Sequence, residues 1–317
     1  MIRVEMHGRL GNQMFQYATA RALQNKVNQE MVFSFRSVLN EKDKEGSVGW
    51  GDDLQYLNVK PYKIYKGKKS LLFFKSSIKQ IVLTLMYYLS YKPLLLNDPY
   101  NFQQVYEKQL KWAKLLNRYG IWWFKFGYYP FESKYKGNYL LNGGFEDSRY
   151  FNKIRNELIL EFTPKKALTS SQLDLITVLK ESNSVCLSIR HFVLKDKERN
   201  KVFNVCDINY YKKAISVICK KVKNPVFYIC SDDLEWVKNK FDFLNNYNVI
   251  FEDSKERPEI KLYIMTQCHH FIVSNSTFSW WAQYLGNYSN KIVVGPSKWY
   301  NIPNYVSPLV EKSWIKI

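Results

Sequence analysis

Cysteine and histidine are scarce in this chain and poorly arranged for binding metal. Of 317 residues only five are cysteines (Cys186, Cys206, Cys219, Cys230 and Cys268); all lie in the second half, mostly inside apolar runs, and none forms a CxxC pair. Core thiols in a reducing compartment explain that pattern, and a zinc site does not. The four histidines include one adjacent pair, His269 and His270. Neighbours on a strand point to opposite faces, so the pair is a poor chelate and no metal is expected. No repeat period or low-complexity tract is visible. The residues after Met1 lack a basic stretch followed by an apolar run, so no secretory leader is expected. Long apolar runs are also missing: Ile78 to Leu96 comes nearest, and Lys79, Lys92 and Pro93 interrupt it, against a spanning helix.

Acids are few as well, 28 against 47 Lys and Arg, for a net charge of +19. The excess is uneven. From Lys60 to Lys136 there are 15 basic residues against three acids (Asp98, Glu107, Glu132), interleaved with FFK, MYYLSYK and YGIWWFKFGYY. Basic residues among Tyr, Trp and Phe suit an anionic membrane surface. They also suit single-stranded nucleic acid, and a packed helical subdomain with a solvated basic face would show the same composition. The length accommodates two domains of ordinary size.

What is present is most concentrated in His7–Leu23, HGRLGNQMFQYATARAL. It follows a short apolar strand (Ile2, Val4, Met6) and runs into a helix pattern, with Met14, Ala18 and Ala22 on one face. Gly8 and Gly11 sit between, with Arg9, Asn12 and Gln13 clustered where the helix begins. A glycine turn at a helix N-terminus lets backbone N–H groups approach an anion, although many such turns bind nothing. A strand at Met31–Phe35 follows, then a polar stretch to Pro61, then a long region dominated by helices. Tyr139–Phe151 (YLLNGGFEDSRYF) reads as a strand ending at a glycine turn, Asn152–Glu161 as a helix, and Thr163-Pro164 as a hinge. That divides the chain into 1–163, with a basic, aromatic helical insertion at about 60–136, and 164–317.

The second half alternates strand and helix with short loops, which predicts an α/β fold: a parallel sheet with helices on both faces. Ligands bind beyond the carboxyl ends of such strands. The residues there are Arg190-His191, Ser231-Asp232-Asp233, Asp253 and Asn275-Ser276-Thr277-Phe278-Ser279. Ser276 and Thr277 offer hydroxyls and unpaired N–H groups at a helix start, and Arg190 leaves another strand at the same edge. A guanidinium fork with a helix N-terminus makes a diphosphate clamp that needs no metal. Of Phe278, Trp280 and Trp281, one is expected to stack on a base and the other two to lie in the core. Asp232 and Asp233 either accept from ribose hydroxyls or a base edge, or cap the next helix.

These blocks resemble the alpha-1,2-fucosyltransferases of glycosyltransferase family 11. The likeness lies in HGRLGNQMFQYATARAL, FYICSDDLEWVKN and LYIMTQCHHFIVSNSTFSWWAQYLG, in that order, with NGGFEDSRYF as a further block. The GRLGNQ loop is also similar to that of protein O-fucosyltransferases. The match spans Ile2 to about Trp299, and roughly Asn40 to Tyr135 carries no strong motif. The resemblance implies a GT-B-like architecture, two Rossmann-type domains facing a cleft, with the acceptor on the N-terminal side. It implies GDP-fucose held mainly by the C-terminal domain. It further implies metal-independent transfer with inversion to a galactose-type hydroxyl, the 2-OH. By motif, Arg190 would bind the β-phosphate, and Ser276, Thr277 and Phe278 phosphate and nucleoside. Asn12 and Arg9 would face the donor, Asn12 with Arg190 on the catalytic side. Gly11, Ser188, Ser231, Asp232 and Asn275 complete the expected donor contacts.

One block departs from the pattern. The family's usual His-x-Arg-Arg-Gly-Asp is Ser188-Ile189-Arg190-His191-Phe192-Val193 here, so the Arg is kept and the Asp is not. No base role carries over from that Asp. Asp147, Glu146, Asp196 and His7 remain candidate bases. Lys261 stands where the family often has an acid, with Glu259 two residues earlier, which leaves guanine recognition unassigned. The expected setting is cytoplasmic, peripheral to the inner face of an anionic membrane, in surface-polysaccharide or O-antigen assembly. The acceptor would be an oligosaccharide carried on a lipid diphosphate. Another nucleotide sugar on the same fold, or a basic nucleic-acid-binding protein, are the alternatives.

Overall fold

The computed structural model describes residues 1–45, 51–67, 69–192 and 197–317. The chain divides into two compact units, Met1–Glu161 and Phe162–Ile317.

Unit 1 begins with β1 (Ile2–Glu5), α1 (Leu10–Val27), β2 (Met31–Ser34) and α2 (Arg36–Glu45). It continues with β3 (Lys63–Ile64), α3 (Ile78–Asn97), α4 (Phe102–Arg118), β4 (Ile121–Phe124), β5 (Tyr139–Gly143) and α5 (Arg155–Glu161). Its sheet has the order β3-β2-β1-β5-β4, and every pairing is parallel. From β1 the chain moves outward through β2 and β3, then returns to lay β5 on β1's other side. The carboxyl ends of β1 and β5 therefore flank the point where the order reverses, which is where α/β sheets leave a crevice.

Two sequence expectations change here. The helical reading of 60–136 holds for α3 and α4, but IWWF at β4 is a sheet strand and Lys63–Ile64 pairs at the opposite edge. Its β-branched and aromatic residues fit a pleated, covered surface, and Ile121, Trp122 and Phe124 are buried. Helix α1 is buried almost all round, from Leu10 to Leu23. Two of its polar residues meet one carboxylate inside: Tyr17 donates to Glu161 at 2.5 Å, and Arg21 Nε donates to the other oxygen of that carboxylate at 2.9 Å. This charge-assisted pair fastens α1 to α5.

Unit 2 comprises α6 (Ser170–Glu181), β6 (Ser184–Ile189), α7 (Lys197–Phe203), α8 (Ile208–Cys219), β7 (Val226–Ser231) and α9 (Leu234–Lys240). Then come β8 (Asn248–Phe251), α10 (Pro258–Met265), β9 (His270–Ile272), α11 (Thr277–Leu285), β10 (Val293–Gly295) and β11 (Ile315–Lys316). The order β11-β10-β9-β6-β7-β8 is again all parallel. The chain starts in the centre, runs out through β7 and β8, and comes back to β9 beside β6. With right-handed crossovers, that reversal puts helices on both faces. Asp207 caps α8 by accepting from Tyr210 N at 2.8 Å, and the buried stripe Tyr211, Ala214, Ile215 and Ile218 packs on the sheet. Strand β11 carries no sequence signal beyond two residues. The cysteines are all free; four are buried and Cys219 is exposed. His269 stacks on Tyr288, and His270 Nδ1 accepts from Ile292 N.

Candidate active site

In unit 2 the order reverses between β6 and β9, so their carboxyl ends define the crevice. Arg190 is the first residue past β6, and Ser274–Ser276 lead from β9 into α11. A line of hydroxyls ties these ends together. Ser279, in the first turn of α11, meets Ser188 Oγ at 2.5 Å and Ser274 Oγ at 2.9 Å. Arg190 and the N-terminus of α11 therefore share one end of two adjacent strands. Ser276 is the N-cap residue and makes no side-chain capping bond; Ser276, Thr277 and Phe278 are partly exposed, whereas Trp280 and Trp281 are fully buried. Of the three aromatics, Phe278 is the one at the surface of the site.

Several expected donor contacts have other duties. The Ser188 hydroxyl is buried on Ser279 and faces the protein interior. Asn275 is buried too, its Nδ2 donating to Phe203 O at 2.7 Å and Trp299 O at 3.1 Å, so its side chain braces the turn into α11. The Ser231 hydroxyl accepts from Asp233 N, and its own N–H donates to Glu252. Asp233, not Asp232, is the cap of α9, accepting from Trp236 N at 3.0 Å. That bond, with one from His191 Nδ1, holds the Asp233 carboxyl below its ordinary range. Asp232 faces Arg190: its Oδ2 lies 2.8 Å from Arg190 Nη1, and its Oδ1 accepts from His191 N at 2.9 Å. The residue expected to read a ribose thus aims the guanidinium.

Glu252, the residue after β8, carries no motif in the sequence, where the neighbouring Asp253 is the candidate. Glu252 is buried, accepts from Ser231 N at 3.0 Å and pairs with Lys261 Nζ at 3.4 Å. Burial raises its carboxyl above the ordinary value, against the pull of Lys261. Lys261, at the position where an acid is expected, therefore has a carboxylate beside it. Glu259 pairs with Arg257 at 2.5 Å. The position of Glu252 at a strand's carboxyl end is the signal that would have found it.

In unit 1 the crevice lies between β1 and β5, and His7 Nε2 spans it to Asn142 Oδ1 at 2.9 Å. Gln16 fixes His7 from both sides, accepting from its N–H at 2.9 Å and donating to its carbonyl at 3.3 Å. Gly8 has a left-handed φ of +68°, and a Cβ there would sit 2.2 Å from Asn12 Nδ2. Gly11 lies inside α1 and is not part of the turn. Gln13 is fully buried, bonded to Gly8 O, Gly51 O and Asp53 N. Arg9 and Asn12 remain at the open tip, with Arg9 exposed at the N-cap. Gly8→Ala is expected to destabilise unit 1 by about 1–2 kcal/mol through the left-handed backbone alone, and to displace Asn12. Thermal unfolding read beside donor affinity measures both effects.

The candidate bases separate on geometry. Asp147 is 3% exposed and bound by Arg149 through Nε and Nη2, besides accepting from Arg149 N, so it is a turn cap. Asp196 lies outside the described residues. His7 is held by Asn142. Glu146 follows two unusual backbone positions. Gly143 has φ +154°, where a Cβ would reach Phe124 O at 2.1 Å, and buried Phe145 has φ +52°. A non-glycine residue there stores on the order of 1–3 kcal/mol of strain, as functional loops often do. Desolvation pushes the Glu146 carboxyl up to about 7. A cavity of about 400 Å³ opens at this end of the sheet, lined by Glu5, His7, Arg36, Asn142 and Trp123 among others. Glu5 was also missed by sequence; it accepts from Ser34 Oγ and Ser37 Oγ.

The family model for Glycosyl transferase family 11 matches residues 112–317. The O-antigen biosynthesis glycosyltransferase WbnK of Escherichia coli is 27% identical, the match covering 98% of this chain and 99% of that one. An Escherichia coli alpha-1,2-colitosyltransferase is 25% identical over 100% and 99% of the two chains. A human galactoside alpha-(1,2)-fucosyltransferase 1 is 32% identical over a shorter stretch, 26% of this chain and 22% of that protein.

Proposed function

The chain belongs to glycosyl transferase family 11, and we propose that it moves L-fucose from GDP-fucose, with inversion, onto the 2-OH of a galactose-type residue. The observation that carries this reading is Arg190, aimed by Asp232 at the strand end that the serine-linked tip of α11 shares. Breaking a sugar–phosphate bond leaves positive charge on the ring and negative charge on the departing diphosphate. The Arg190 guanidinium and the free N–H groups of α11 meet that negative charge, and this role requires no metal. Phe278 takes the nucleoside, with Ser276 and Thr277 on the phosphates. Arg9, Gly11 and Asn12 at the start of α1 keep the donor-binding role that their motif implies. The acceptor hydroxyl gives its proton to Glu146 as its oxygen attacks the anomeric carbon, and the bond to the β-phosphate oxygen breaks on the opposite face.

For the acceptor, the unit 1 cavity supplies a carboxylate, an amide and an indole, a set suited to sugar hydroxyls and a sugar's apolar face. An oligosaccharide of O-antigen assembly fits the name of the full-length relative WbnK, and we assign it a lipid carrier. The name of the other full-length relative favours a second donor, GDP-colitose, which lacks the 3-hydroxyl of fucose. The test is donor hydrolysis and transfer with GDP-fucose, GDP-colitose, GDP-mannose and UDP-galactose. GDP-fucose is expected to be turned over fastest. Preference for the 3-deoxy sugar moves the reading to colitose, and turnover of UDP-galactose alone overturns it.

A further inference from the structure

Helix α3 is built inside out. Its buried side carries Gln80, Thr84, Tyr87 and Tyr91. Its exposed side carries Ile78, Val82, Leu85, Met86, Leu89 and Leu96, with Ile78 80%, Leu89 64% and Leu96 74% exposed. At 3.6 residues per turn these six fall on one stripe about 100° wide, opposite the polar side. Water-facing helices ordinarily show the reverse.

The orientation is fixed by hydrogen bonds. Gln80 Nε2 donates to Tyr119 O and Asn138 O, each at 2.7 Å, and its Oε1 accepts from Ser77 N and from buried Arg3. Thr84 donates to Gln80 O, and Tyr87 donates to Trp123 O while accepting from Gln109. Turning the stripe inward would break the bonds to Tyr119, Asn138, Arg3, Trp123 and Gln109 and leave those buried groups unpaired.

We infer that the outward face of α3 lies in the surface of an anionic phospholipid bilayer, parallel to its plane. Charge complementarity selects this occupant. Lys79 and Lys92 border the stripe on its two sides, Lys75 precedes the helix, and α3 has no acid anywhere along its length. Aliphatic side chains among lysines enter the headgroup boundary, where the ammonium groups meet lipid phosphates. None of the described helices is long and apolar enough to cross a membrane, and the opposite side of α3 is packed on α4 and β4. The helix therefore lies on the bilayer. This inference is independent of the donor assignment, because a chain that floats with vesicles can still prefer another sugar nucleotide.

The test is flotation of the full chain with vesicles of phosphatidylglycerol and phosphatidylethanolamine, against phosphatidylcholine alone. Binding to the anionic vesicles is expected. Met86→Glu/Leu89→Glu should reduce it at least tenfold, with donor hydrolysis in solution unchanged, and Lys75→Glu/Lys79→Glu should weaken it in a salt-dependent way. Undiminished binding by the Met86→Glu/Leu89→Glu variant overturns the inference. So does a stable dimer that this variant dissolves, since the stripe would then face a second copy.

Discussion

Arg190→Ala is expected to cut transfer about 100- to 1000-fold, the usual loss when one preorganised donor to developing negative charge is removed. The fold should survive. Arg190 is partly exposed, about a third of its side chain open to solvent and its guanidinium over Phe192. Both kcat and kcat/KM should fall, because the interaction strengthens as the diphosphate departs. Arg190→Lys should recover little, since an ammonium cannot fork between a phosphate and Asp232. Near-normal kcat in Arg190→Ala, measured with saturating donor, would sink the clamp. Asp232 shares in this outcome. With its carboxylate aimed at Arg190, Asp232→Asn should give a smaller loss in the same direction.

The second large effect is expected at Glu146. A carboxyl pushed up to about 7 by burial is protonated at pH 5 and ionised at pH 9. As the proton acceptor it works only when ionised, so kcat/KM should rise with pH through an apparent pKa of about 7, well above an ordinary carboxylate. Glu146→Gln should lose about 10²- to 10⁴-fold and abolish that limb. Stability gives an independent reading. A carboxyl whose folded-state pKa is raised resists ionisation, so its contribution is full below the unfolded value of 4.5 and is lost as pH rises through about 7. Glu146→Gln should remove that loss and leave the variant relatively more stable at pH 8 than at pH 5. A limb that stays in place in Glu146→Gln assigns the titration to another group.

Much of unit 2 was legible because its signals are local. Strand ends, the Asp207 cap and the burial of two tryptophans follow from alternation and capping chemistry over a few residues. The site's edge could be named for the same reason. Which oxygen meets which donor could not, since it depends on neighbours far apart in the chain. Ser188 and Ser279 meet across 91 positions, and Asp232 turns to Arg190 because β6 and β7 are adjacent. Glu252 and Glu5 were passed over because a single carboxylate at a strand end looks like any solvated one. In unit 1 the aromatic density of 121–124 was absorbed into a helical reading, though a strand of four residues is too short for periodicity to declare. Helix α3 shows a further limit: the pattern reveals two unlike faces, but only hydrogen-bonding partners decide which one turns inward.

The trio Ser188, Ser279 and Ser274 carries one more consequence. None of these groups ionises near neutral pH, and none relies on attraction between opposite charges. The cradle at the tip of α11 should therefore keep its shape in concentrated electrolyte and in mild acid. Added salt should loosen the grip on the nucleotide by shielding its phosphates from the charges that meet them, and a nucleoside without phosphates should bind equally well in dilute and concentrated sodium chloride.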